Sequence, residues 1–254
     1  MEVTGAVVVV TGASSGIGRA TALALKRAGS DVVAVGRNAA ALNQLIDAGI
    51  VPFVADVSEP AHPPALVEMA TSRFGRLDAV VANAGVGYAG GFARMPLDRL
   101  DELIDVDLRA PLHLARAATP VMLEQGRGAL VFVSSIAGAV PVPGEAAYSL
   151  AKHGLEAFAD AIRPELRSGG VTVTVVRPGV VRTAFFARRG LPYDRRFPRP
   201  IPPERVADAI VDALRTGRHH VTMPRWLAMP AALRRHARPV YDRMARGSGS
   251  SVER

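Results

Sequence analysis

A chain of 254 residues with 49% hydrophobic and 21% charged side chains has the length of one large α/β domain and the apolar content for a sizeable core, which excludes a disordered chain. It contains no cysteine, so a disulfide framework and a thiolate zinc site are excluded, and no metal is expected. The net charge of +8 is unevenly placed: residues 1–181 carry 15 basic and 17 acidic side chains, whereas residues 182–254 carry 16 and 6, so the basic character belongs to the C-terminal part.

The first apolar run, residues 6–11, is short and β-branched, the pattern of a strand buried on both faces of a parallel sheet. It is also too short for a signal-peptide core or a membrane span, so a cytoplasmic protein is expected. Gly12-Ala-Ser14-Ser15-Gly16-Ile17-Gly18 follows at once, and Ile17, Ala20, Thr21, Ala24 and Leu25 then recur at helical spacing until Gly29. Residues 31–36 read as a second strand, 39–48 as a helix, 51–55 as a third strand, 64–74 as a helix and 77–81 as a fourth strand. A helical stretch follows over 97–125, with a break or kink expected near Arg109 because Pro111 lies inside it.

Residues 129–134 read as strand five, 146–166 as a helix and 171–176 as strand six. The regular alternation predicts an α/β fold, a Rossmann-type, doubly wound parallel sheet flanked by helices on both faces, in a single domain over 1–254. After Arg177-Pro178-Gly179 the pattern is lost through a Pro-, Arg- and Phe-containing loop or lid, whose substrate-facing part is 184–203. A helix over 204–215, a short last strand over 220–223 and a basic C-terminal extension over 226–254 complete the chain, with Gly247-Ser-Gly-Ser-Ser251 reading as a flexible end.

A glycine turn between a buried first strand and a helix lets backbone amides approach a pyrophosphate, whose charge is favoured at the helix N-terminus. Gly12, Gly16 and Gly18, with Ser14, Ser15 and Ile17, are therefore expected to cradle a dinucleotide, Thr11 and Ser14 adding hydroxyl contacts. The spacing is not G-x-G-x-x-G; position directly after strand one carries the reading. The second strand ends in Gly36-Arg37, with no carboxylate to hold ribose hydroxyls and an arginine able to accept a 2′-phosphate, so the expected cofactor is NADP(H), with NAD(H) as the alternative. Asp56-Val57 and Asn83-Ala84-Gly85 end strands three and four at the same carboxyl edge, Asp56 at the adenine and Asn83 as a wall that ties adjacent strands.

Tyr148 and Lys152 are four residues apart, so on a helix they share a face. A nearby ammonium favours the ionised phenol, whose ordinary pKa is about 10, and so makes tyrosine a usable acid and base. Ser135, at the end of strand five, can hold a substrate oxygen while Tyr148 donates to it.

Thr11-Gly-x-x-x-Gly-x-Gly18, Asn83-Ala-Gly85, Ser135, Tyr148-x-x-x-Lys152 and Arg177-Pro-Gly179 with Thr183 together resemble the short-chain dehydrogenase/reductase family, in its shorter branch, over about residues 5–223. The resemblance implies reversible hydride transfer between nicotinamide and an alcohol or carbonyl, and dimers or tetramers. It implies Tyr148 as acid/base, Lys152 on the nicotinamide ribose and the phenol, Ser135 positioning substrate, and Pro178, Gly179, Val181 and Thr183 along the cofactor, Thr183 near the carboxamide. Where the family has an asparagine as fourth catalytic residue, this sequence has Asp107, which accepts but does not donate when ionised and adds a charge close to Lys152. Activity is expected to survive with an altered pH profile.

The substrate wall is expected from Gly87-Tyr88, residues 136–145 and the 184–203 loop; Ile136, Val140, Val142, Phe185, Phe186 and Leu191 suggest a hydrophobic ketone or secondary alcohol. Arg188, Arg189, Arg195, Arg196 and Arg199 read as solvated charges of a mobile lid. The extension from Trp226 is expected to cover the pocket or a neighbouring subunit, with a weak peripheral membrane contact as the rival reading. A non-catalytic dinucleotide sensor would not need the intact serine, tyrosine and lysine, and nucleic acid is not an expected partner because the Arg-rich end lacks a reading motif.

Overall fold

The β-branched run at the N-terminus forms β1 (Val7–Thr11), and its neighbours are set by the glycine turns and helices that return the chain to the same edge. The computed structural model describes residues 1–194 and 196–236; Arg195 and the expected flexible end, with the rest of 237–254, lie outside the described residues. Six further strands join β1 in one parallel sheet: β2 (Asp31–Gly36), β3 (Val51–Val54), β4 (Ala79–Ala82), β5 (Gly128–Val133), β6 (Val171–Pro178) and β7 (His220–Met223). Their order is β3-β2-β1-β4-β5-β6-β7, so the winding direction reverses between β1 and β4. Ligands of such sheets bind outside the carboxyl ends of the strands at that reversal.

The period-two alternation of a strand assigns β1 to two cores. Val8 and Val10 face a layer that includes Leu25 of α1 (Gly16–Arg27) and Val206, Ile210 and Leu214 of α8 (Pro203–Thr216). Val7 and Val9 face the opposite layer, with Leu66 of α3 (His62–Phe74), Leu114 of α5 (Ala110–Glu124) and Leu155 of α6 (Ala146–Arg167). Both faces are dry, which explains why the strands read as continuous apolar runs.

Three segments differ from the sequence expectation. The helix expected over 39–48 ends early as α2 (Ala39–Asn43), with a 3-10 turn at Ile46–Ala48 closed by Gly49 at φ 72°. The helix expected to kink near Arg109 runs instead as α4 (Leu97–Ile104), a π-helical turn (Asp105–Arg109) and α5. Pro111 has no N–H to donate to the Asp107 carbonyl one turn back, and the chain widens there rather than bending apart. The lid contains one helical turn, α7 (Phe185–Arg188); the extension starts in a 3-10 turn (Arg225–Leu227) and continues as α9 (Ala228–His236). Arg234 of α9 donates to the Ala139 carbonyl at 3.0 Å, so the described part of the extension packs beside the loop that follows β5.

Candidate active site

The carboxyl ends of β1, β2, β4, β5 and β6 open into one cavity of about 1270 Å³. The glycine turn after β1 lines its middle stretch with Gly12, Ser14, Ser15, Gly16 and Ile17. Ser15 is the N-terminal cap residue of α1 but makes no capping bond, and the first turn holds no acid. The opening N–H groups of that helix have no intrahelical acceptors, and the helix dipole adds a positive end. This donor set fits the pyrophosphate of a dinucleotide.

Gly18 differs from its expected role because it does not line the cavity. A Cβ there would sit 2.4 Å from the Gly12 carbonyl oxygen, so its contribution is the close approach of helix to strand. Thr11 also differs: its buried hydroxyl accepts from the N–H groups of Asn83 and Ala84, both at 3.0 Å, and offers no contact to a ligand. Asn83 returns a bond from Nδ2 to the Thr11 carbonyl at 2.8 Å, which locks β4 to β1 as a wall. Thr183 lies over the turn, its Cγ2 3.0 Å from where a Gly16 Cβ would stand, and Pro178, Gly179 and Val181 line the same side.

At the far rim, Arg37 Nη1 lies 3.4 Å from Asp56 Oδ2 and 3.8 Å from Glu102 Oε1. Burial pushes the Asp56 carboxyl up, but hydrogen bonds from Ser58 and the Arg37 charge outweigh it and hold the group below the ordinary carboxylate value. Val57, Ala84 and Gly85 complete this wall.

Ser135, Tyr148 and Lys152 line the same cavity on the β5 side. Ser135 stands at the end of β5, where its Oγ accepts from the Ala137 N–H at 3.2 Å and caps a 3-10 turn. Tyr148 is 8% exposed in the first turn of α6, with its ring 5.6 Å from Phe185 of the lid. Lys152 Nζ lies 5.6 Å from the Tyr148 ring centroid, 3.1 Å from Asp107 Oδ2 and 3.2 Å from the Val133 carbonyl.

The expectation that the lysine lowers the phenol's pKa does not hold in this geometry. Burial holds Tyr148 well above the ordinary tyrosine value, the Asp107 charge pushes the same way, and the nearby Ser135 hydroxyl pulls back. The first physical reason is burial of the phenol, and the carboxylate that reaches Lys152 adds to it. Asp107 is fully buried and lines no part of the cavity. Its Oδ1 accepts from the Val86 N–H at 2.7 Å, and burial raises its carboxyl against the lowering effects of Lys152 and that N–H. It meets the cavity only through its contact with Lys152.

The sequence profile of the short chain dehydrogenase family matches residues 6–192. The chain belongs to the short-chain dehydrogenases. It is 36% identical over 217 residues, 84% of this chain and 92% of the other, to an uncharacterized oxidoreductase of Staphylococcus aureus (strain MRSA252). It is also 36% identical over 188 residues to dehydrogenase/reductase SDR family member 7B of Mus musculus, covering 70% of this chain and 58% of that one. Among solved structures, a short-chain dehydrogenase from Streptomyces avermitilis superposes with a TM-score of 0.82 at 28% identity, over 96% of this chain and 99% of that one. A short chain dehydrogenase/reductase from Burkholderia phymatum, solved in complex with NAD, superposes with a TM-score of 0.86 at 24% identity, over 94% and 96% of the two chains. The short-chain dehydrogenase described here is thus a member of an oxidoreductase family.

Several pairings around this short-chain dehydrogenase's cavity escape the sequence reading. Glu145, just before α6, pairs with Arg189 of the lid, whose guanidinium also lies 4.5 Å from the Phe186 ring centroid. Glu102 meets Arg37, and behind the cavity Ser134 Oγ donates to Glu156 Oε1 at 2.8 Å while Arg177 forks onto the same carboxylate. These partners are separated by 21 to 44 residues where the bonds are direct, and no local spacing marks them. Of the expected substrate wall, Tyr88, Ile136, Val142, Phe185, Phe186 and Leu191 line the cavity, whereas Val140 does not.

Proposed function

We propose that this short-chain dehydrogenase is an NADP(H)-dependent oxidoreductase that interconverts hydrophobic ketones and secondary alcohols, with Tyr148 as general acid and base. One observation carries the reading: a dinucleotide cradle and the Ser135, Tyr148 and Lys152 set line one and the same cavity. When bound, the nicotinamide dinucleotide supplies or accepts the hydride at the substrate carbon. In reduction Tyr148 Oη gives its proton to the carbonyl oxygen; in oxidation it takes the hydroxyl proton back. Ser135 Oγ donates a hydrogen bond to that same oxygen and fixes its position. Lys152, held by Asp107 and the Val133 carbonyl, anchors the ribose side and relays a proton to the phenol after reduction and from it after oxidation.

Preference for NADP(H) over NAD(H) is supported by Arg37, which stands exposed at the rim directly after β2, where a 2′-phosphate would come to rest. Asp56 is the nearby group that would favour the unphosphorylated ribose, and it is already paired with Arg37. The apolar side chains of the substrate end, Phe185, Phe186, Leu191, Ile136 and Val142, support a hydrophobic substrate.

The test is NADPH absorbance over a panel of ketones, with the reverse reaction on the matching alcohols and Tyr148→Phe as control. Consumption of NADPH that the control loses supports the proposal. Turnover retained by the control, or none with any member of the panel, rejects it.

A further inference from the structure

The lid and the C-terminal extension meet at an aromatic pair that the catalytic reading does not use. Phe197 stacks on Trp226 with ring centroids 5.1 Å apart and planes at 22°. Stacking buries one face of each ring, yet Phe197 remains 68% exposed and Trp226 41%. Met229 lies one helical turn after Trp226 and is 72% exposed. The same segment is anchored from beneath: Leu227 is buried, and Arg234, five residues beyond Met229 and so on another side of α9, binds the Ala139 carbonyl. The apolar side chains are therefore held outward by a fixed base.

The charges around them are predominantly of one sign. Arg196 and Arg199 flank Phe197, and Arg225 precedes Trp226; all three are exposed and none has an ion pair among the described residues. Residues 190–202 contain a single acid, Asp194, and residues 217–229 contain none. Exposed aromatic and thioether side chains ringed by unpaired arginines combine the two attractions that hold a peripheral protein on an anionic bilayer: burial of rings at the acyl boundary and attraction of cations to headgroups. We infer that Phe197, Trp226 and Met229, with Arg196, Arg199 and Arg225, form a docking surface for an anionic lipid bilayer.

The surface adjoins the substrate end of the cavity. Pro198, next to Phe197, and Leu191 of the same lid both line it. Docking through Phe197 places this entrance at the lipid surface, where an apolar ketone partitions; this delivery step rests on the proposed hydrophobic substrate, whereas the docking itself does not.

The experiment is co-sedimentation of the full chain with vesicles of phosphatidylcholine, with and without phosphatidylglycerol, which needs no turnover and so fails or succeeds independently of the proposed chemistry. Binding is expected only with phosphatidylglycerol and is expected to weaken as salt is raised. Phe197→Ser with Trp226→Ser should lower vesicle affinity about tenfold or more, and Arg196→Gln, Arg199→Gln and Arg225→Gln together about a hundredfold. The charge variant alters only exposed side chains, so it remains informative if the aromatic variant does not fold. The charge variant should keep the wild-type far-UV circular dichroism spectrum, which separates lost docking from lost folding. Absence of binding to phosphatidylglycerol vesicles overturns the inference. So does equal binding to neutral vesicles, or binding that the charge variant leaves unchanged, which places the contact elsewhere. Capture on an acidic polypeptide without vesicle binding assigns the patch to an acidic protein and likewise overturns it.

Discussion

Lys152 Nζ lies 3.1 Å from Asp107 Oδ2, and both side chains are sealed from water, at 4% and 0% exposure. The cation beside the candidate acid is thus already neutralised from behind. Burial first, and Asp107 second, hold the Tyr148 phenol above its ordinary value. Asp107→Asn removes the second contribution and leaves the first. Alcohol oxidation requires the phenol in its proton-accepting form, so its kcat against pH should rise at lower pH in the variant than in the wild type. An unchanged profile would reduce Asp107 to a packing role. Asp107→Ala should cost about 3–5 kcal/mol in urea denaturation, because it leaves a buried ammonium without its counter-charge.

Tyr148→Phe keeps the ring that meets Phe185 at 5.6 Å and removes only the hydroxyl. Turnover should fall by about 10²- to 10⁴-fold, while dinucleotide affinity measured by fluorescence stays at the wild-type value. Equal losses in both would mean that the side chain shapes the cavity more than it moves a proton.

Arg37→Ala should raise the KM for NADPH about 10- to 100-fold, the range expected when a charged group loses its hydrogen-bonded partner. The KM for NADH should change little, since the variant also frees Asp56 from its 3.4 Å contact. Steady-state kinetics with the two dinucleotides checks both halves, and a parallel loss with both would locate Arg37 outside the 2′-phosphate position.

Gly18→Ala places a Cβ 2.4 Å from the Gly12 carbonyl oxygen and 2.5 Å from Asn83 Nδ2. The backbone has to separate, at a cost of about 1–3 kcal/mol or more, and the cradle opens with it. Thermal melting should drop, and dinucleotide should raise the melting temperature of the wild type but not of the variant.

His220 gives the fold a pH dependence of a known sign. Burial, then the Arg177 charge, depress its pKa below the ordinary 6.5, Asp160 opposing, Arg163 adding to the depression and Glu156 opposing. The unfolded imidazole therefore binds a proton at a pH where the folded one does not. Stability should fall as pH drops through 6.5 toward the depressed folded value, then level off for this group. His220→Gln should flatten that part of the melting-temperature curve.

Much of the fold was legible because its signals are local. Val7 to Thr11 are buried on both faces and so carry a continuous apolar run, and Gly12, Gly16 and Gly29 punctuate the chain at positive φ. The candidate site was legible where helical or strand geometry sets it, as with Tyr148 and Lys152 one turn apart. What the residues alone could not carry was the sign of the phenol's shift, since that depends on how deeply α6 packs and on which carboxylate reaches the lysine from the helix opposite. The Glu145–Arg189 and Arg37–Glu102 pairs were hidden for the same reason. The π-helical turn was half visible: Pro111 announced an interruption, but whether the chain bends or widens depends on the neighbours packed against it.

That turn lets one helical path serve two interiors. Leu103, before it, packs with Tyr148 and Ala151 near the chemistry, whereas Leu114, after it, packs beneath the sheet with Leu155 and Phe132. The two leucines are roughly three α-helical turns apart, a spacing that on an uninterrupted helix would point both the same way. The wider turn rotates the second half relative to the first, like a slipped tooth between two gears. Asp107 sits on the slipped tooth, so losing one residue between 105 and 109 would restore an unbroken helix and swing the carboxylate off Lys152.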